Sequence, residues 1–93
     1  MITLSYLNIQ IMEEAQFAHL SLKEKVHIIF DYGNEITSRR FLHFNIKLYS
    51  VMDFFAEVWY APADNRIERV ETLTVDEILI LYKKEFDISG LLK

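Results

Sequence analysis

One stretch of the chain places apolar residues at helical spacing between a start signal and a stop signal. Residues 21–24 have the sequence of a capping box, and Gly33 follows the last apolar positions. This pattern predicts a helix over residues 22–32, with Val26, Ile29 and Phe30 on its buried stripe. We expect Gly33 to adopt the left-handed backbone conformation that commonly ends a helix.

A second capping box lies at residues 74–77, and it predicts a helix whose buried side extends from Val75 to Phe86. The N-terminal region fits two patterns. Residues 2–6 alternate as in a strand, whereas Leu4, Leu7 and Ile11 recur as in a helix. The helical pattern is the longer one and favours a helix over residues 6–19, with a strand as the alternative.

The segment between the two capped helices is rich in aromatic and β-branched residues, which favour strands. It divides into four predicted strands: residues 35–41, 44–50, 54–60 and 66–73. Their short connections make sequential strands antiparallel neighbours, so we expect a four-stranded meander. The predicted fold is one α+β domain over residues 1–93, with two layers and with the helices before and after the sheet packed on one face.

The register of the sheet decides which side chains share a face. A three-residue loop at 51–53 places Lys47 opposite Glu57, and a five-residue loop at 61–65 places Glu57 opposite Arg69. The apolar face expected to meet the helices then carries Phe44, Ile46, Leu48, Phe54, Ala56, Val58, Tyr60 and Val70. We expect Val58→Asp to prevent folding and Glu57→Gln to be tolerated.

The other predicted face alternates aromatic and charged side chains, a composition typical of the centres of protein interfaces. We predict an interaction surface formed by Tyr49, Phe55, Glu57, Trp59, Ile67 and Arg69. Trp59 is the expected anchor, and Glu57 and Arg69 are expected to set the register of the contact. The expected partner is a second copy in a homodimer or another protein; alternatively, the N-terminal helix covers this face.

Charge and composition exclude several classes of function. The chain has a formal net charge of −4 and no basic stripe, so we expect no nucleic-acid partner. It has no apolar run long enough to span a membrane and no cysteine, so we expect no membrane partner and a cytoplasmic location. No catalytic motif is present, and the Glu24/His27 pair is only one of the two such pairs that a di-iron site needs beside two further carboxylates. We therefore expect a non-enzymatic protein without metal or cofactor.

Two alternative functions remain open. Arg39, Arg40, His43 and Lys47 form a basic cluster in the sequence that suits an anion or a phosphate group. This cluster predicts a small enzyme or an anion-binding protein. The net negative charge alone favours the other alternative, an acidic inhibitor or antitoxin-like partner of a basic protein.

Several segments of the sequence share a pattern with other proteins. The strand at residues 54–60, the turn exit at 65–67 and the helix at 76–82 resemble those of a group of small uncharacterised bacterial single-domain proteins. The Tyr32-Gly33 helix end and the Ser38-Arg39 strand also fit this pattern, which extends over residues 22–88. The resemblance implies a compact bacterial domain and carries no activity, so it assigns no functional residue.

Overall fold

The structure, a computed structural model, describes residues 12–83. The elements in chain order are α1 (Glu14–Ala18), α2 (Leu22–Tyr32), β1 (Gly33–Phe41), β2 (Phe44–Val51), β3 (Phe54–Ala61), β4 (Arg66–Leu73) and α3 (Val75–Leu81). The strands form one antiparallel sheet in the order β1-β2-β3-β4. The α+β class, the meander and the helices on either side of it in the chain are confirmed. The predicted elements over residues 1–11 and the end of the last predicted helix lie outside the described residues.

Both predicted capping boxes are present. The Ser21 hydroxyl accepts a hydrogen bond from the Glu24 backbone N–H at 3.2 Å, and the Glu24 carboxylate accepts one from the Ser21 N–H at 2.9 Å. Thr74 and Glu77 make the same two bonds at the start of α3, at 3.1 and 2.8 Å. The bond from the Ser21 backbone also holds the pKa of the Glu24 carboxyl below its usual value. These bonds fix where α2 and α3 begin.

Gly33 ends α2 for a different reason from the one predicted. Its φ is −87°, so the residue is extended and begins β1, and the expected left-handed conformation is wrong. A Cβ atom at this position would lie 2.6 Å from the carbonyl oxygen of Ile29, which accepts a hydrogen bond from the Gly33 N–H. Glycine is required because the chain passes so close to the last turn of the helix.

The predicted register between β2 and β3 is wrong by one residue. Val51 pairs with Phe54, so the loop contains Met52 and Asp53 alone. Leu48 therefore lies opposite Glu57, and every side chain of β2 points to the face opposite to the predicted one. Met52 accommodates this tight loop with a φ of 57°.

From Leu73 to Arg69, the pairing of β4 with β3 differs from the prediction by two residues, which leaves these side chains on the predicted faces. Trp59 lies opposite Arg69, where Glu57 was expected to face Arg69. A β-bulge at Glu68 then shifts the register, so that Tyr60 pairs with Ile67. Because of this bulge, Ile67 lies on the face opposite to Arg69.

Helices cover both faces of the sheet, in three layers. Phe17 of α1 and Ile28 and Ile29 of α2 pack against one apolar cluster of the sheet. Its sheet residues are Val51, Phe54, Ala56, Val58 and Val70. We call this side of the sheet the α2 face.

The opposite side, the α3 face, is covered by Ile78 of α3 and by Tyr82, which follows that helix. They pack on Leu48 and Leu73, with Phe55 at the edge of the cluster. Phe54 and Phe55 are consecutive in β3, so they point to opposite sides of the sheet. The predicted two-layer packing of all helices on one face is therefore wrong, because the slipped register gives each face its own apolar set.

Candidate interaction surfaces

The six residues of the predicted interaction surface are divided between the two faces. Phe55, Glu57, Trp59 and Arg69 lie on the α3 face. The other two, a tyrosine of β2 and an isoleucine of β4, lie on the α2 face, because they pair with Ala56 and Tyr60 of β3. The structure therefore brings together four of the six residues, and it separates Tyr49 and Ile67 from them.

Glu57 lies at the centre of a buried polar network on the α3 face. Its side chain is 1% exposed, and it receives two hydrogen bonds from the Arg39 guanidinium, at 2.8 and 3.1 Å. The Tyr82 hydroxyl donates a third, at 2.5 Å. Each carboxylate oxygen has a partner, which is the condition for burying a charge in a folded protein. The network joins β1 and β3 to the residue that follows α3.

The network also sets the protonation of its donors. The hydrogen bonds to Glu57 raise the pKa of the Arg39 guanidinium, which stays charged. Burial raises the pKa of the Tyr82 hydroxyl well above its ordinary value, and the bond to Glu57 raises it further. Tyr82 is therefore a neutral hydrogen-bond donor over the whole physiological range.

Trp59 is packed inside the α3 face and is only 6% exposed. The Arg69 guanidinium lies 3.9 Å from the centre of its ring, in cation–π geometry. Phe44 and Phe41 meet the indole edge-on at centroid distances of 5.2 and 6.0 Å. The indole Nε1 is buried without a hydrogen-bond partner among residues 12–83. The predicted anchor thus has little free surface to offer another chain.

The four residues of the predicted anion site do not converge. Arg39 is held by the buried carboxylate on the α3 face, whereas Arg40 and Lys47 lie on the α2 face. His43 is in the turn between β1 and β2. The Lys47 ammonium lies 3.5 Å from a carboxylate oxygen of Glu35. The structure therefore divides the four residues between the two faces of the sheet and a turn.

The α2 face carries a groove of about 420 Å³ that the sequence reasoning missed. α2 covers the sheet near Val51 and Phe54, and the groove lies towards the other end of the strands. Its lining is mostly aromatic and aliphatic: Phe30, Asn45, Lys47, Tyr49, Val58, Tyr60 and Ile67. Phe30 is 64% exposed at the edge of this groove, although the predicted stripe of α2 buried it.

The few polar groups of the groove lie at its rim. Lys47 and its partner Glu35 are both about half exposed, which makes this ion pair weak. The Tyr60 hydroxyl donates to the Asn65 side chain at 2.5 Å, which fixes the orientation of its ring. Burial raises the pKa of the Tyr49 hydroxyl. The groove therefore offers an apolar floor and a rim that carries both signs of charge.

Among residues 12–83, no three histidine, aspartate or glutamate side chains are placed to hold a metal ion. Glu24 of the Glu24/His27 pair is used in the α2 capping box, and His27 lies 3.6 Å from Asp31. None of the described helices is long and apolar enough to cross a membrane.

Both edges of the sheet carry features that hinder pairing with another strand. β1 has a bulge at Ile36 and exposes Glu35 and Arg40. β4 has its bulge at Glu68, among further charged residues that are also exposed. Bulges and charges are the usual protection of edge strands. A contact with another chain is therefore more favourable on a face than along an edge.

Comparisons with protein families, with curated proteins and with solved structures find no match to the chain.

Proposed function

We propose that the chain is a non-enzymatic protein-interaction module that self-associates, and that it does so through the groove of the α2 face. The observation that carries the proposal is the exposed Phe30 beside an apolar groove. Complete burial of a phenylalanine side chain is worth about 1.5–3 kcal/mol, so a partner that covers this region gains substantial free energy. The bacterial, cytoplasmic setting expected from the sequence stays part of the proposal.

The contrast with the α3 face supports this choice of surface. On the α3 face the aromatic and charged residues already bind one another, as the Arg39–Glu57 pair and the Arg69–Trp59 stack illustrate. On the α2 face, the half-buried tyrosines 49 and 60 line a concave surface that the described helices leave open. Concave apolar surfaces with a polar rim are the usual form of binding sites.

The test is the solution mass of the protein at concentrations from micromolar to millimolar, measured by sedimentation equilibrium. We expect the mass to rise from that of the monomer to that of the dimer. Ile80→Ala is the control, because Ile80 is an exposed apolar residue like Phe30 but lies on α3, at 74% exposure against 64%. This variant should follow the same curve as the unmodified protein. A monomer mass at every concentration would contradict the proposal.

A further inference from the structure

We infer that the groove of one copy is filled by Phe30 of a second copy, in a reciprocal contact about a two-fold axis. This inference rests on the proposed self-association and names the residue that occupies the groove. In a two-fold dimer the same patch faces itself, so a projection and the cavity that receives it must lie on one surface. Phe30 and the groove meet this requirement, because the residue lines the groove of its own chain without filling it.

The chemistry of the groove suits an aromatic side chain. Its lining includes the rings of Tyr49 and Tyr60 and the aliphatic side chains of Val58 and Ile67. Aromatic rings pack well against one another in edge-to-face or offset geometry, and aliphatic neighbours exclude water from the contact. The volume of the groove, about 420 Å³, is larger than a benzyl group.

The rim charges are also self-complementary. Lys47 lines the groove, and Glu35 of β1 lies 3.5 Å from the Lys47 ammonium, with side chains 54% and 49% exposed. A two-fold contact can place Lys47 of one copy beside Glu35 of the other, which replaces two weak pairs within chains by two between chains. A patch of a single sign would repel its own copy, and this patch has both signs.

A pair of complementary variants tests the inference. Phe30→Ala removes the projection and leaves the groove open, whereas Asn45→Trp fills the groove and keeps Phe30. Tryptophan is favoured in strands, so the second change suits its position on β2. We expect each variant alone to weaken the dimer by roughly tenfold to a hundredfold, as truncation of an interface anchor does. Ile80→Ala should leave the dissociation constant unchanged.

An equal mixture of the two variants provides the decisive measurement. The groove of Phe30→Ala can accept Phe30 of Asn45→Trp, so one of the two contacts is restored in the mixed dimer. Native mass spectrometry separates the species because the two variants differ in mass. We expect the mixed dimer to form a larger share of all dimers than random pairing of the two variants would give. A mixture without this excess would overturn the inference.

A charge exchange tests the same contact independently of the folding of Asn45→Trp. Glu35→Lys and Lys47→Glu should each weaken the dimer, and the double variant should restore it. If the unmodified protein dimerises but Phe30→Ala keeps its dissociation constant, the inference is wrong and the proposed function stands. If the unmodified protein never associates, the proposed function fails first.

Discussion

Among the described residues, a seven-residue helix and a buried ion pair leave an apolar groove of about 260 Å³ on the α3 face, whereas an eleven-residue helix leaves a groove of about 420 Å³ on the α2 face. The α3 face buries Glu57 by giving its carboxylate three hydrogen-bond donors from two other residues. The α2 face uses apolar packing around Ile29 and Phe54. We therefore expect the α3 face to lose stability when a member of the Glu57 network is removed. We expect the α2 face to respond instead to a partner that binds in its groove.

The composition of a face does not indicate whether that face is available for binding. Trp59, Arg69 and Glu57 have the composition of an interface, yet within the described chain Trp59 and Glu57 are buried in the α3 face and the half-exposed Arg69 lies over the Trp59 ring. Phe30 and the groove have an ordinary core composition, yet they are accessible. Residue types alone do not distinguish these cases, because the distinction depends on which side of the sheet each residue points to.

The largest effect is expected from Arg39→Met, which removes the charge and keeps much of the apolar stem. Glu57 would then be a buried carboxylate without its cationic partner, so we expect a loss of about 3–5 kcal/mol in the free energy of unfolding. Urea unfolding measures this loss. Lys47→Met is the control on the other face, and it should cost no more than about 1 kcal/mol because its ion pair is exposed. Equal losses for both variants would contradict the difference between the faces.

The next effect concerns the Tyr82 hydroxyl. Tyr82→Phe removes a hydrogen bond to a buried carboxylate and should cost about 1.5–3 kcal/mol in the free energy of unfolding. Tyr60→Phe removes a bond on the exposed side of the groove, and it should change the stability by less than about 0.5 kcal/mol. The same urea experiment compares the two variants, and a larger loss for Tyr60→Phe would reverse our assignment.

The pH dependence of stability gives a second readout for Tyr82. Its pKa is raised in the folded state, so the unfolded chain loses this proton first as the pH rises. The stabilisation is fully present below about pH 10, the ordinary tyrosine value, and decreases above it. Tyr82→Phe should therefore flatten the alkaline decline in stability. Tyr49→Phe should flatten it less, because the pKa of Tyr49 is raised by partial burial without a bond to a buried carboxylate.

A smaller effect is expected from the two helix caps. Ser21→Ala and Thr74→Ala each remove a side-chain acceptor at a helix start and should each cost about 1 kcal/mol. Hydrogen exchange then distinguishes the faces. Because α3 is short and holds the sheet chiefly through Ile78 and Tyr82, Thr74→Ala should accelerate exchange in α3 and leave α2 protected. Faster exchange throughout α2 in this variant would contradict a locally held α3.

The smallest effect on stability is expected from Phe30→Ala. The side chain is exposed, so its removal should change the free energy of unfolding of the monomer by no more than about 0.5 kcal/mol. Urea unfolding at a concentration where the protein is monomeric measures this change. A loss as large as that of Arg39→Met would mean that Phe30 belongs to the core of the chain.

Much of the fold follows from local signals in the sequence. The box at Ser21 and the glycine at position 33 predicted the bounds of α2, and the turn signals around Pro62 and Met52 separated the strands at nearly the observed positions. These signals succeed because each depends on neighbouring residues. The end of α2 was predicted correctly even though the reason given for Gly33 was wrong.

The faces could not be predicted in the same way. The loop after Val51 has two residues, and its positive φ falls on Met52, a residue that does not signal such a turn. The choice of three residues there slipped β2 by one position and exchanged its faces. The bulge at Glu68 likewise has no glycine to mark it. The predicted register also satisfied the charges, because it placed Glu57 opposite Lys47 and Arg69. Glu57→Gln was therefore expected to be tolerated, whereas Glu57 is buried beside Arg39.

The spacing of the buried residues in α2 indicates that Phe30 is exposed, but the predicted stripe was too wide and included it. Ile28, Ile29 and Tyr32 are spaced to lie on one side of α2, and Phe30 falls off that side. A narrower stripe would have marked it as an unburied aromatic residue. The groove itself depends on where α2 crosses the sheet, which no local pattern specifies.

NMR spectra recorded from dilute to concentrated protein test most directly whether the α2 face is the contact surface. If the α2 face is the contact surface, the concentration-dependent shifts should cluster at Phe30, Tyr49, Tyr60 and Ile67. The indole signal of Trp59, the single tryptophan, should stay constant because it is enclosed in the opposite face. Shifts centred on Trp59 and α3, or spectra that do not change at all, would contradict the account.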